Sequence, residues 1–124
     1  MKAMKSLSRW MALGAAVALA ASGPALAHTH LVQSDPAAGA TVKAAPKAIT
    51  LTFSERLVPT FSTFELTMPD HRMKVPVKTA VSRDGKQIVG TLEKPLTAGS
   101  YKIEWTAAGS DGHKMTGEVA FKVG

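Results

Sequence analysis

The chain of 124 residues contains four histidines and no cysteine. Without thiolates, any metal site must draw on imidazole, carboxylate, thioether or amine groups. Two short motifs concentrate those donors: His28-Thr29-His30 and Ser110-Asp111-Gly112-His113. In each, two candidate donors stand two residues apart, and in an extended chain residues i and i+2 share a face. Gly112 allows a close backbone approach between Asp111 and His113. The plainer reading of the second motif is an Asp-Gly hairpin turn followed by an incidental histidine. The plainer reading of the first is a pair of exposed histidines near a frayed terminus.

What precedes His28 changes its chemistry. Lys2, Lys5 and Arg9 are followed by an apolar run over residues 10–21, which loosens through Ser22, Gly23 and Pro24 into Ala25-Leu26-Ala27. This is the pattern of a secretory signal peptide with small residues before the cut. The run is shorter than the ~20 residues that span a bilayer. Residues 1–27 are therefore expected to be removed, leaving His28 first, with residues 28–124 as one exported, periplasmic domain. A histidine at a free N-terminus offers an α-amine and an imidazole that close one chelate ring on a metal. The amine must shed a proton from an ordinary pKa of roughly 7.7 to 8.0, which a divalent cation favours. Cu(II) takes nitrogen and oxygen donors in a tetragonal plane and heads the affinity order of the common divalent metals. With Asp111 and His113, His28 would complete an N,N,N,O plane. His30 is expected as an optional or axial donor.

Strands must position these groups, because period-two alternation dominates residues 28–124 and helical periodicity is hard to find. Ile49, Leu51 and Phe53 alternate with polar residues, as do Phe64, Leu66 and Met68, then Tyr101, Ile103 and Trp105, then Val119, Phe121 and Val123. Strands are also expected over residues 31–34, 74–81 and 87–92, with Pro76 suggesting an edge for the second of these. About seven short strands indicate an all-β, immunoglobulin-like sandwich. Asp35-Pro36-Ala37-Ala38-Gly39, Asp84-Gly85, Pro95-Leu96-Thr97-Ala98-Gly99 and Asp111-Gly112 punctuate them with turn chemistry.

Composition narrows the function. Loss of residues 1–27 takes three basic side chains and leaves 97 residues with 12 basic and 9 acidic ones, a formal charge of +3 in place of +6. The remaining basic residues are scattered without interleaved aromatics, a poor footprint for nucleic acid. With no cysteine, an exported domain of this size rests on its core alone. A soluble monomer is expected.

The same residues carry a resemblance. His28, Ser34-Asp35-Pro36-Ala37-Ala38-Gly39, Ala45-Pro46, Leu51-Thr52-Phe53-Ser54-Glu55, Pro95-Leu96-Thr97-Ala98-Gly99-Ser100-Tyr101 with Trp105, Ser110-Asp111-Gly112-His113, Thr116-Gly117 and Phe121-Lys122-Val123 together resemble the CopC-type periplasmic copper-resistance proteins. The resemblance covers essentially all of residues 28–124. It implies a seven-stranded Greek-key, cupredoxin-like barrel or sandwich. It also implies one Cu(II) held by His28, Asp111 and His113, with Glu55 placed to accept a hydrogen bond from the N-terminal amine; a solvated strand-end glutamate is the alternative. Copper resistance or homeostasis, and delivery to an inner-membrane transporter of the CopD type, follow from the same likeness. Some members carry a Met-rich loop for Cu(I). Here the comparable Met68-Pro69-Asp70-His71-Arg72-Met73 keeps two Met and one His, at most a weak soft-donor site. Met68 reads instead as a core side chain and His71 as an exposed turn residue.

Two other classes compete with a non-enzymatic copper carrier. A copper monooxygenase can use an N-terminal histidine brace, but a carboxylate at Asp111 favours Cu(II) and resists the reduction that oxygen activation requires. Trp105 and Tyr101 fall on a face expected to be buried, leaving no row of aromatics to grip a polysaccharide. A metal-free envelope scaffold needs only the sandwich and leaves the N-terminal histidine unexplained.

Overall fold

Alternating side chains require two apolar faces to meet, and residues 28–124, the part described by this computed structural model, do so as two sheets. The strands are β1 (Leu31–Asp35), β2 (Thr41–Val42), β3 (Ala48–Phe53), β4 (Thr63–Met68), β5 (Met73–Val75), β6 (Val77–Val81), β7 (Gln87–Leu92), β8 (Gly99–Ala108) and β9 (Lys114–Val123). One sheet has the order β1-β3-β7-β6 and the other β2-β9-β8-β4-β5. Every pairing is antiparallel except β2 with β9. Among the described residues no helix is long and apolar enough to cross a membrane. The expected leader, residues 1–27, lies outside the described residues.

The inward residues of the alternating runs form the core. Ile49, Leu51, Phe53, Phe64, Leu66, Ile88, Tyr101, Ile103, Trp105, Val119, Phe121 and Val123 are all buried. Each such side chain contributes roughly 1.5–3 kcal/mol of burial. Phe53 and Trp105 meet edge-to-face across the two sheets at 5.0 Å between ring centroids, and Tyr101 stacks on Phe121 at 5.4 Å. The Tyr101 hydroxyl donates to the Thr97 carbonyl at 2.6 Å, a tyrosine corner that ties the turn before β8 to the core.

The expected all-β sandwich is present, but with more strands than the seven foreseen. The single strand expected over residues 74–81 is two, divided at Pro76. Proline cannot donate to a ladder, so it sits where the chain leaves one sheet edge, β5, and joins the other, β6. The second addition, β2, is too short to carry an alternation signal.

The topology brings the two histidine motifs to one rim. β1 runs antiparallel to β3 with Leu31 opposite Phe53, so the residues before β1 lie beside the residues that leave β3. Those residues, 54–58, cross to the tip of the long β8–β9 hairpin, where Leu57 bridges Gly109 and the Val58 N–H donates to the Ala108 carbonyl at 2.8 Å. A bulge at Val32 interrupts the β1–β3 register just inside this rim.

Candidate metal centre

Asp111 sits in the connection between β8 and β9. The backbone N–H of His113 donates to Asp111 Oδ1 at 3.0 Å, and Asp111 Oδ2 lies 3.1 Å from His113 Nδ1. Gly112, at φ 84°, supplies the left-handed turn that lets both side chains project the same way. Its own N–H donates to the Gly109 carbonyl at 2.9 Å, closing the turn. These contacts hold the Asp111 carboxyl below its ordinary pKa, the His113 backbone N–H most strongly and then the His113 side chain, with partial burial opposing. Asp111 is thus held as a carboxylate.

His28 completes the group from the other end of the chain. Its Nδ1 lies 3.9 Å from Asp111 Oδ2, and its ring meets that of His113 edge-on at 5.4 Å between centroids. One donor atom from each of His28, Asp111 and His113 lies within 4.8 Å of the others. Donors about 2 Å from one ion stand about 2.8 Å apart when adjacent and about 4 Å when opposite. The three side chains therefore need only a small contraction to share an ion. They do so in the open: the side chains are 45% (His28), 41% (Asp111) and 65% (His113) exposed. Imidazole and carboxylate without thioether suit Cu(II) better than Cu(I).

The other residues singled out from the sequence are placed as follows. His30 is exposed, as His28 is, but its backbone N–H donates to Ser54 Oγ at 3.1 Å and its Nδ1 lies 3.2 Å from the same hydroxyl. It stands outside the group of three. Glu55 follows Ser54 on this rim, yet among the described residues no ion pair joins it to His28 or His113. At the far side of the molecule, Met68 and Met73 face each other in register between β4 and β5. Met68 packs against the core while Met73 is exposed, and His71 is exposed in the 3-10 turn Pro69–His71 between them.

Sequence reasoning missed the clamp that holds the hairpin tip. Ser62, buried at the start of β4, accepts the Ala108 N–H at 3.1 Å, and Leu57 and Val58 pair to the same segment. A serine preceding an alternating run gives no sign of such a role. A shallow recess of about 410 Å³ lies elsewhere, around Thr63, Glu65, Glu104, Thr106, Thr116 and Glu118. The candidate centre is a rim feature and not a cavity.

Residues 31–124 match the CopC domain model. The chain belongs to the CopC domain family. This CopC domain is 46% identical over 114 residues to copper resistance protein C of Pseudomonas syringae pv. tomato, covering 87% of this chain and 90% of that one. It is 42% identical over 109 residues to copper resistance protein C of Xanthomonas campestris pv. juglandis, covering 83% of this chain and 85% of that one. Among solved structures, it superposes on PcoC, a methionine-rich copper resistance protein from Escherichia coli, with a TM-score of 0.72 and 41% identity, over 79% of this chain and all of that one. The match to the CopC model begins at Leu31, after both histidines of the first motif.

Proposed function

We propose that this CopC domain is a non-enzymatic periplasmic Cu(II) carrier that binds one ion through His28, Asp111 and His113. The observation that carries the reading is the convergence of those three side chains from chain segments about eighty residues apart. Removal of residues 1–27 turns the His28 nitrogen from an amide into an amine, a far better donor, and supplies the fourth position of the plane. Glu55, which follows Ser54 on the same rim, is the residue we assign to accept a hydrogen bond from that amine. His30 is held by Ser54 and serves at most as an axial donor. The kinship with copper resistance proteins supports copper as the cargo. The carboxylate in the group supports the cupric state and argues against oxygen activation. The +3 charge of the processed domain and the lack of an apolar membrane-crossing helix among the described residues fit a soluble monomer. An inner-membrane transporter of the CopD type is the natural recipient of the ion.

The test is a competition titration of the processed protein against a calibrated Cu(II) chelator, followed by reductant and oxygen. The expected result is tight one-to-one binding without peroxide release. Absence of binding, or binding unchanged in the His113→Ala variant, would overturn the assignment, and peroxide release would favour an oxygen-activating enzyme.

A further inference from the structure

Thr29 separates two exposed histidines yet is only 3% exposed itself. Its side chain lies over Gly109, where an added Cβ would overlap Thr29 Oγ1 and come 3.6 Å from Thr29 Cβ and 3.5 Å from Asp111 Oδ1. Gly109 is absent from the glycines with positive φ, so it is the approach of Thr29, and not the backbone conformation, that demands the missing side chain. Gly109 in turn opens the turn that carries Asp111 and His113, because its carbonyl accepts the Gly112 N–H. One buried contact thus joins the residue next to His28 to the residue that begins the Asp111 turn.

We propose that Thr29 and Gly109 are a positioning pair that holds His28 in register with Asp111 and His113. The inference rests on the metal-site reading above. Regular pairing begins at Leu31, so three residues lead from the sheet to the chelating end of the processed chain. At about 3.3–3.6 Å per residue, an untethered leader of that length sweeps roughly 10 Å. Anchoring Thr29 leaves a single residue of slack, and His28 then meets the ion with most of its ordering already done. The bond from His30 to Ser54 secures the other side of Thr29. Neither contact supplies a donor atom; each acts through His28.

The processed protein tests this with four variants, all assayed at a temperature where each is fully folded. Thr29→Ala keeps the Cβ but removes the atoms that fill the space over Gly109, and Cu(II) affinity should fall about 5- to 30-fold, the equivalent of fixing one residue's backbone. Gly109→Ala should displace Thr29 and weaken binding about 10- to 100-fold, as loss of a supporting contact does. Thr29→Ala combined with Gly109→Ala should recover to the level of Thr29→Ala alone, since the two methyl groups then meet at ordinary van der Waals distance. In a His28→Ala background, which keeps only the α-amine of residue 28 as a donor, Thr29→Ala should weaken binding by a smaller factor. Electron paramagnetic resonance should register a lost equatorial nitrogen in Gly109→Ala and its return in the double variant. If His28→Ala weakens binding but Thr29→Ala and Gly109→Ala do not, the positioning role is wrong and the site reading stands. If His28→Ala is itself silent, the site reading falls and the positioning role with it. Equal effects of Thr29→Ala with and without His28 would assign the contact to the fold alone.

Discussion

Asp111 uses its two oxygens differently: Oδ1 is occupied by the His113 backbone N–H, and Oδ2 faces both imidazoles. An ion bound here would therefore displace the Oδ2 contacts and leave the Oδ1 bond to keep the turn in shape. Truncation of His28, Asp111 or His113 to alanine should each lower Cu(II) affinity by more than the about 10–100-fold typical of losing a supporting group. His71→Ala, remote in its own turn, should leave the competition titration unchanged. His30→Ala should keep the equatorial nitrogen count in electron paramagnetic resonance; loss of one nitrogen would place His30 in the plane. Truncating Asp111 also removes the turn's internal bond, so Asp111→Asn is the better separation of charge from shape.

At the scale of elements, glycine and turn chemistry set the tolerances. Gly117 lies opposite Trp105 in the β8–β9 pairing, and an added Cβ would overlap the indole, with Cε2 at 2.6 Å and Nε1 at 2.9 Å. Gly117→Ala should therefore destabilise the domain by about 1–3 kcal/mol through overpacking. A melting-temperature loss of roughly 4–8 °C per kcal/mol is the measurable result. Trp105 would be the sole tryptophan of the processed chain, so its fluorescence reads the displacement directly. The β6–β7 turn is held by a carboxylate: the Ser82 hydroxyl donates to Asp84 at 2.6 Å and the Lys86 N–H at 3.0 Å, and together, Ser82 foremost, they hold Asp84 below its ordinary 3.8. Because folding lowers this pKa, the turn's contribution is complete above pH 3.8 and is lost as acid protonates the folded form. The protection factor of the Lys86 amide should fall as pH drops below 3.8, and Asp84→Asn should abolish that dependence. These elements were legible to different degrees. β3, β4, β8 and β9 were readable because one face of each is buried, which forces alternation onto the sequence. The two-residue β2 and the division at Pro76 were not, because both are decided by which sheet edge is free. Likewise His28, Asp111 and His113 stand out as candidate donors by residue type and are joined as a set by the family resemblance, whereas Thr29, Ser62 and Gly109 act by packing and by backbone bonds that leave no type-and-spacing signature.

For the whole molecule, an ion held between His28 and the late hairpin would couple metal binding to global stability. Free Cu(II) at 100 times the dissociation constant should stabilise the processed protein by about 2.7 kcal/mol. For a domain of this size that raises the melting temperature by roughly 10–20 °C. The unprocessed chain, whose His28 nitrogen is an amide, should gain much less in the same thermal scan, and an equal gain would show that the amine is not a ligand. The openness of the rim has a kinetic consequence as well. Side chains 41–65% exposed leave room for an incoming donor before any outgoing one has departed. Exchange of the ion should then be associative, its rate rising linearly with the concentration of the acceptor's ligands in stopped-flow and exceeding spontaneous dissociation, so that tight retention and rapid hand-over coexist in one small domain.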